Sequence, residues 1–348
     1  MFENKETTKL SSYGEFGLID LLTKNVKPRR SSTLKGIGDD AAVLDLTAGK
    51  TVVTTDMLVE GVHFDIMFTP LKHLGYKSIV VNLSDVFAMN AMPSQVTVSI
   101  AVSSRYTVDA LEELYAGMLM ACEQYNVDLV GGDTTSSMSG LMISVTAIGM
   151  AAEKDIVYRN GAKNRHLLCV SGDLGGAYMG LQVLEREKAV FKENPEIQPD
   201  LSGYDYVVER QLKPEARKDV AEMLKDLQIQ PTAMIDVSDG LASEVIHICK
   251  QSKVGCKLFE ERIPVDHNTN KACEEFNLNP SSAALNGGED YELLFTVKPE
   301  DYEKIKGHTE IYPIGHITDV EGRYELIPPN GESVELTAQG WNAFGNQE

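Results

Sequence analysis

The sequence predicts two α/β domains, one after the other. Strand and helix patterns alternate in both halves of the chain, as they do in α/β and α+β domains. The length of 348 residues suggests two domains, at a typical size of roughly 150 residues each. The polar segment 151–165 interrupts the apolar pattern between the halves. We therefore expect domains at residues 1–150 and 151–348.

The first half has the patterns of three helices and four strands. A helix over 107–125 carries one apolar stripe, and a β-branched strand at 52–55 is expected to end at Asp56. A short strand over 127–130 is expected to end before the sequence Gly131-Gly132-Asp133. The predicted elements are helices 15–22, 76–90 and 107–125 and strands 52–55, 95–102, 127–130 and 141–150.

The second half restarts the alternation after the polar segment. A helix over 241–250 has Leu241, Val245 and Ile248 on one face. The stretch 192–202 is polar and contains proline, which indicates a surface insertion. The predicted elements are strands 166–170 and 233–235 and helices 174–187, 214–227 and 241–250.

Composition excludes several classes of partner. The 32 basic and 52 acidic residues give a net charge of −20, which argues against nucleic acid and anionic membrane surfaces. No apolar run reaches the roughly 18 residues that span a bilayer. The five cysteines form no C-x-x-C pair, and most lie in apolar runs. Buried reduced thiols, and a start without an apolar signal core, predict a cytoplasmic protein.

Two glycine-containing segments resemble phosphate-binding loops. Gly49-Lys50-Thr51 lacks the upstream glycine of a P-loop, because that position is Leu44, and it leads into a strand. The segment 171–180 (SGDLGGAYMG) follows a strand and begins a helix, but its glycines do not give G-x-G-x-x-G. Its helix N-terminus favours an anion, and a simple tight turn is the alternative.

Seven aspartates occupy unusual positions, mostly at the ends of apolar strands or in glycine-flanked turns. Carboxylates at the rim of a core need partners, and these motifs contain few lysines or arginines. Each can also be structural: Asp236 and Asp239 as acids at the start of a helix, and Asp133 as a turn residue. The seven are Asp39, Asp40, Asp56, Asp85, Asp133, Asp236 and Asp239.

Considered together, these aspartates indicate a shared site for divalent cations. Magnesium takes oxygen ligands and usually bridges carboxylates to substrate phosphates, and six or seven carboxylates suit several ions. The ions would also offset the repulsion between a nucleotide and a protein of charge −20. Calcium is disfavoured, since no D-x-D-x-D-G loop is present.

Six motifs in order give the chain a family resemblance. They are GIGDDAAV, TTDMLVEGVHF, VNLSDVFAMNA, GGDTT, MIDVSDGL and GGEDYELL. The sequence resembles the thiamine-monophosphate kinases from about Glu15 to Trp341. The resemblance implies an N-terminal mixed sheet with helices that pairs across a homodimer, and a C-terminal α/β sandwich that completes the active site. It also implies an N-terminal domain that binds metal and nucleotide.

The resemblance implies three groups of site residues. The magnesium positions are Asp39, Thr54, Thr55, Asp56, Asp85, Asp133, Asp236 and Asp239. The nucleotide-contacting positions are Gly132, Asp133, Arg159 and Ser238. The positions that hold thiamine phosphate are His63, Glu289 and Trp341. A carboxylate and a tryptophan face suit the cationic thiazolium.

The implied activity is transfer of the ATP γ-phosphoryl group to thiamine monophosphate, giving thiamine diphosphate, with magnesium. The acceptor is a phosphomonoester with a second pKa of about 6, so we expect no general base among the aspartates. One alternative is a related synthetase of the selenophosphate or aminoimidazole-ribonucleotide type. The absence of a cysteine before Cys122 argues against the selenophosphate type. The other alternative is a non-catalytic dimer that binds metal or nucleotide.

Overall fold

The chain divides into two compact units. The structure, a computed structural model, describes Leu18 and residues 21–35, 43–47 and 49–340. One unit comprises Met1–Val86 and Ala91–Lys154, and the other comprises Phe87–Asn90 and Asp155–Glu348. Each contains a mixed sheet with helices, so the prediction of two α/β domains is confirmed.

The first unit contains a four-stranded sheet. Its strands are β3 (Lys50–Val59), β4 (Met92–Val102), β5 (Asp128–Ser136) and β6 (Met142–Ala151). Their order is β3-β6-β4-β5, with β4 and β5 parallel and the other pairs antiparallel. Two short strands, β1 (Thr33–Lys35) and β2 (Val43–Leu44), form a separate antiparallel pair.

The two faces of this sheet differ. Alternate residues such as Val98 and Val145 are buried beneath helix α1 (Leu71–Ala88), which lies close enough to β6 for Val86 to fill the space above Gly149. On the opposite face of edge strand β3, Val53 and Met57 are 62% and 55% exposed. An exposed apolar face on an edge strand is a surface that can pair with another chain.

Helix α2 (Val108–Tyr125) crosses α1 at two glycines. It begins at Thr107, whose hydroxyl accepts a hydrogen bond from the Ala110 N–H, and ends at left-handed Asn126. A methyl group on Gly75 of α1 would overlap the Leu114 carbonyl, and one on Gly117 of α2 would overlap the Lys72 carbonyl. Glycine inside a helix costs about 1 kcal/mol relative to alanine. The close backbone contact explains why glycine occurs at both positions.

The second unit contains a seven-stranded sheet. Its strands are β7 (Leu167–Ser171), β8 (Ala233–Asp236), β9 (Gly255–Phe259), β10 (Leu293–Val297), β11 (Ile311–Thr318), β12 (Tyr324–Ile327) and β13 (Val334–Glu335). Their order is β13-β12-β9-β11-β7-β10-β8. The β12–β9 pair is parallel, and the other pairs are antiparallel.

Helices cover both faces of this sheet. The helices of this unit are α3 (Gly176–Glu193), α4 (Asp205–Leu212), α5 (Lys218–Asp226), α6 (Leu241–Ser252), α7 (His267–Glu275), α8 (Pro280–Asn286) and α9 (Tyr302–Ile305). Leu168 on β7 belongs to a buried cluster with Val245 of α6, whereas the adjacent Cys169 belongs to a second cluster with Val220 of α5. This alternation is the sandwich arrangement that the family resemblance implies.

Two predicted strand ends are wrong. Strand β3 does not end at Asp56, since it pairs with β6 from Lys50 to Val59, and β5 continues through Asp133 to Ser136. The first error arises because a polar side chain was taken to end a strand, and the second because the pair Gly131-Gly132 was taken to end one. Ladder hydrogen bonds are made by the backbone, so a strand can continue through an acid that faces a site.

The helix predictions differ from the structure around Pro214 and towards the end of the chain. The helix predicted over 214–227 begins at Lys218. Helices α4, α7, α8 and α9 were not predicted. Within the predicted first helix, 15–22, Leu18, Leu21 and Leu22 are helical, and the rest lies outside the described residues. All five cysteines are free and buried, as predicted. In the described part of the chain, no helix has the length and apolarity to cross a bilayer.

The glycine crossing can be tested by adding one methyl group. Gly117→Ala removes an unfavourable helix glycine but forces α1 and α2 apart, so we expect a net loss of about 1–3 kcal/mol in unfolding free energy. Urea denaturation measures this change. Gly131→Ala is the matched control, because its Cβ would make only ordinary contact with Thr97, and it should stay within about 0.5 kcal/mol of the parent. Equal effects of the two variants would contradict the role of the crossing.

Candidate active site

Strand β3 and helix α1 bring together three predicted magnesium positions and one further polar residue in the first unit. The Thr54 hydroxyl donates a 2.7 Å hydrogen bond to Asp85 Oδ2. The Asp56 backbone N–H donates a 2.9 Å bond to Asn82 Oδ1. Thr54 and Asp56 lie on the helix-facing side of β3 because they are two residues apart. Asn82 and Asp85 lie on one helix face because they are three apart.

Asp56 lies in an electrostatically unfavourable place for an anion. Burial first, and the neighbouring Asp85 carboxylate second, raise the pKa of Asp56 to about 6 from an ordinary 3.8. Two carboxylates in this position repel each other unless a proton or a cation lies nearby. The pair therefore has the electrostatic character of a cation site.

Thr55 and Asp133 do not lie beside the Asp56–Asp85 pair in the first unit. Thr55 lies on the opposite face of β3, where its hydroxyl donates to the Val145 carbonyl at 2.9 Å. The register Met57–Ser144–Ser99–Asp133 places Asp133 on that same opposite face, three strands from β3. At a strand spacing of about 4.8 Å, this is roughly 14 Å across the sheet.

Gly132 has a structural reason to be glycine. A Cβ at this position would overlap the Val98 carbonyl of the adjacent strand. Its neighbour Gly131 has no such restriction, since a Cβ there would meet only a Thr97 methyl group at 3.8 Å. The close strand contact accounts for Gly132 whether or not a nucleotide approaches it.

His63 lies in a turn that Glu60 holds in place. The Glu60 carboxylate accepts hydrogen bonds from Arg105, from the Tyr106 hydroxyl at 2.7 Å and from the Leu141 N–H at 2.8 Å. His63 Nδ1 accepts a 3.1 Å bond from the Val59 N–H. An accepting Nδ1 places the proton of a neutral imidazole on Nε2, which can then donate to a phosphate oxygen.

In the second unit, two loops are joined through their backbones. Asp236 ends β8, and the Glu289 N–H donates a 2.7 Å hydrogen bond to the Ser238 carbonyl. Burial first, then the charge of Glu289, raise the pKa of Asp239, whereas His247 and Arg159 lower it. These effects place Arg159 and Glu289 near Asp239. Of the predicted positions in this unit, Arg159, Asp236, Ser238, Asp239 and Glu289 therefore occupy one neighbourhood.

Glu244 was missed by the sequence analysis. It lies in the first turn of α6, is buried, and accepts a 3.2 Å hydrogen bond from the Asp239 N–H. Burial first, and the charge of Asp236 second, raise its pKa to about 8. An acid in a first helical turn is ordinary, so the sequence offered no signal that this one faces other carboxylates.

The segment GGEDYELL places three acids in different environments. Asp290 is buried and accepts hydrogen bonds from the Gly175 and Ala177 N–H groups at the start of α3. The anion at this helix N-terminus is therefore the chain's own carboxylate, which resolves the alternatives left by the sequence. Glu292 is also buried and pairs with Arg210 at 3.1 Å and Arg217 at 2.6 Å.

Glu289 differs from these two neighbours because it is only partly buried. It adopts a left-handed backbone conformation with φ of 59°, and Tyr291 does so with φ of 52°. Non-glycine residues rarely adopt this conformation, and they cluster at functional sites. Of the three acids in the segment, Glu289 is the least buried.

Asp39 and Trp341 lie outside the described residues. The last described residue, Gly340, packs so closely against the Asp239 carbonyl that a Cβ would overlap it. The Gln339 N–H donates to Asn286 Oδ1 at 2.9 Å. The last described residue of the chain therefore lies against the Ser238–Asp239 loop.

The donor set in the first unit suits magnesium. In the described part of the chain, no three acidic, histidine or cysteine side chains converge to hold a metal by themselves. Magnesium needs fewer protein ligands, because it commonly keeps water molecules and binds one or two carboxylates together with substrate phosphates. Thr54, Asp56 and Asp85 provide two carboxylates and a hydroxyl, all hard oxygen donors.

Comparisons with known proteins agree with this architecture. The chain matches the family models for the N-terminal domain of AIR synthase related proteins over residues 38–151 and for their C-terminal domain over 167–326. It is therefore a two-domain AIR synthase related protein. It is 35% identical over 336 residues to a thiamine-monophosphate kinase of Aquifex aeolicus, covering 97% of this chain and 100% of the relative. The chain belongs to the thiamine-monophosphate kinase family.

Two solved structures are similar along nearly the whole chain. A thiamine-monophosphate kinase from Stenotrophomonas maltophilia K279a has 31% identity and a TM-score of 0.76, covering 92% of this chain and 98% of that one. AaThiL complexed with AMPPCP and TMP has 32% identity and a TM-score of 0.73, covering 98% and 100%. The family resemblance that the sequence motifs predict is confirmed.

The carboxylate pair makes stability depend on pH in the metal-free protein. The pKa of Asp56 is raised to about 6, so the folded state binds this proton more tightly than the unfolded state does. Its contribution to stability is full below pH 3.8 and is lost as pH rises through about 6. In EDTA at pH 7.5, Asp56→Asn should therefore raise the unfolding free energy by about 1–2 kcal/mol.

Urea denaturation between pH 5 and 8 measures this gain, which should shrink towards acidic pH. Saturating magnesium should stabilise the parent more than Asp56→Asn. Asp109→Asn, at an exposed position in the first turn of α2, serves as the control and should follow the parent under all conditions. A pH-independent loss of stability in Asp56→Asn would contradict the unfavourable placement of this carboxylate.

Proposed function

We propose that this chain catalyses ATP-dependent phosphorylation of thiamine monophosphate, giving thiamine diphosphate in thiamine diphosphate biosynthesis. The observation that carries the proposal is its 35% identity to a thiamine-monophosphate kinase over 97% of the chain. The complex of AaThiL with AMPPCP, a methylene analogue of ATP, and TMP supports the choice of both substrates. The reaction class is phosphoryl transfer to a phosphate group.

Magnesium is the metal that we propose for the first unit. Thr54, Asp56 and Asp85 would hold it, and the raised pKa of Asp56 is the feature that favours a cation there. Bound magnesium would neutralise phosphate charge and orient the phosphates for in-line transfer. The other predicted magnesium positions, including Asp236 and Asp239 in the second unit, would serve further ions. The family resemblance supports these assignments.

The substrate positions remain part of the proposal. Arg159 and Ser238 would contact the nucleotide in the second unit, and Gly132 and Asp133 would do so in the first. The partly exposed Glu289 carboxylate suits a cationic thiazolium ring, and Trp341 would offer an aromatic face. His63 Nε2 would donate to the phosphate of thiamine monophosphate, since Nδ1 accepts the Val59 N–H.

No aspartate needs to act as a general base in this reaction. A phosphomonoester has a second pKa of about 6, so its attacking oxygen is largely ionised at neutral pH. The principal barrier is repulsion between two phosphate-bearing reactants, which cations and N–H donors reduce. The acids therefore act as ligands and positioning groups in the proposed mechanism.

We also propose a cytoplasmic homodimer. The dimer is supported by the exposed apolar side chains Val53 and Met57 on edge strand β3. The cytoplasmic location is supported by five free cysteines, since disulfides are rare in reducing compartments.

The direct test incubates purified protein with ATP, magnesium and thiamine monophosphate and measures thiamine diphosphate by chromatography. Omission of any one component should abolish the product. Selenide and formylglycinamidine ribonucleotide, offered in place of thiamine monophosphate, test the two synthetase alternatives. ATP-dependent turnover of either one, with none of thiamine monophosphate, would overturn the proposal, as would binding of nucleotide without transfer.

Asp85→Asn tests the metal ligands through activity. The substitution keeps the size of the side chain and removes one charge, so turnover should fall by about two orders of magnitude or more while the fold persists. Initial rates at several magnesium concentrations measure the loss. Asp109→Asn changes the same residue type on an exposed surface of α2 and should retain parental rates. Near-parental turnover of Asp85→Asn would remove Asp85 from the site.

Met57→Arg tests the dimer surface. A charged side chain in the middle of an apolar interface is costly, so the variant should be monomeric at micromolar concentration where the parent is dimeric. Light scattering coupled to gel filtration measures the mass. Met138→Arg is the matched control, because Met138 is fully exposed in the turn between β5 and β6. A monomeric parent with full activity would contradict the dimer, and a dimeric Met57→Arg would place its interface elsewhere.

A further inference from the structure

Gln211 contacts the proposed substrate-binding acid from inside the second unit. It is the penultimate residue of α4 and is only 5% exposed. Its side-chain Nε2 donates a 2.8 Å hydrogen bond to Glu289 Oε2. The two residues are 78 positions apart in the sequence, so no local motif joins them. Gln211 does not match any metal, nucleotide or substrate position of the family resemblance.

The scaffold around this contact is held on both sides. On the Gln211 side, Gly180 of α3 lies so close that a Cβ there would crowd the Val207 carbonyl and the Gln211 side chain. On the Glu289 side, the backbone is left-handed and its N–H is bonded to the Ser238 carbonyl. With both backbones fixed, the hydrogen bond sets the direction in which the Glu289 carboxylate points.

The chemistry of the donor distinguishes this contact from those of the neighbouring acids. Arginines satisfy Asp290 and Glu292, with Arg210 near both, and thereby neutralise their charge. A glutamine amide donates a hydrogen bond but carries no charge. The hydrogen bond from Gln211 therefore orients the Glu289 carboxylate without adding a positive charge beside it.

We propose that Gln211 is a positioning residue that orients Glu289 towards the cationic ring of the substrate. This inference rests on the proposed function, because thiamine monophosphate supplies the cation. Gln211 itself does not touch the substrate. Its effect is on the affinity for thiamine monophosphate, and it leaves the affinity for ATP and the phosphoryl-transfer step largely unaltered.

The test compares two substitutions of similar size. Gln211→Met removes the donor and nearly keeps the volume, and it should raise KM for thiamine monophosphate about tenfold, the effect of losing a hydrogen bond to a charged group. kcat should stay within about threefold and KM for ATP within about twofold. The control is Gln230→Met, because Gln230 Nε2 donates to the Asp155 carbonyl at an exposed site. It should leave all three constants unchanged.

Gln211→Glu separates direction from charge. It keeps the shape of glutamine but turns the donor into an acceptor, which redirects Glu289 while adding negative charge. A raised Kd for thiamine monophosphate, measured by calorimetry without ATP, supports positioning. A lowered Kd would show that charge alone governs binding and would overturn the proposal. Thermal unfolding shows whether each variant is folded. If Gln211→Met does not fold, the test of the proposal depends on Gln211→Glu alone.

Failure of this inference is distinguishable from failure of the proposed function. If the parent does not phosphorylate thiamine monophosphate, the proposed function is wrong. If the parent does so and both Gln211 variants have parental KM and Kd values, only the role of Gln211 is wrong. A lower kcat together with similar increases in both KM values would indicate a general structural role for Gln211. That result would also overturn the positioning role.

Discussion

A carboxylate that leaves water needs donors or cations around it, and this constraint governs both units of the molecule. Asp290 and Glu292 meet it with a helix N-terminus and two arginines. Asp56 faces Asp85 instead of a cationic side chain, and its pKa rises. The first kind of acid holds the fold together. Burial raises the pKa of Asp290 as well, to about 7, but Arg210 and two backbone N–H groups oppose that rise, whereas the charge of Asp85 adds to the effect of burial at Asp56.

The internally satisfied acids also make the site possible. Asp290 and Glu292 flank the left-handed residue Tyr291, and their buried contacts fix the backbone on either side of it. Left-handed conformations of non-glycine residues persist where the surroundings over-determine them. The ion pairs of Arg210 and Arg217 therefore stabilise the loop that carries Glu289.

The sequence was sufficient to predict the family, the two α/β domains and the identity of the acidic motifs. It was less informative about where strands end and about which face of a strand each residue occupies. One strand was expected to end at Asp56 and another before Gly131, although β3 and β5 continue through these positions. Once the length of β3 is known, the two-residue period separates Thr54 from Thr55, and only Thr54 reaches the Asp85 carboxylate. Gln211 was not predictable, since its partner lies in a different motif and glutamine is common in helices.

The burial of every cysteine makes the chain a convenient host for site-specific labels. Burial raises the pKa of the thiols of Cys122, Cys169 and Cys273. Maleimides react with accessible thiolates, so the native thiols should contribute little background at neutral pH. A cysteine introduced at an exposed position in each unit, such as Met138 and Val320, could carry a donor and an acceptor dye. Single-molecule fluorescence could then report the distance between the two dyes in a chain that keeps all its own cysteines.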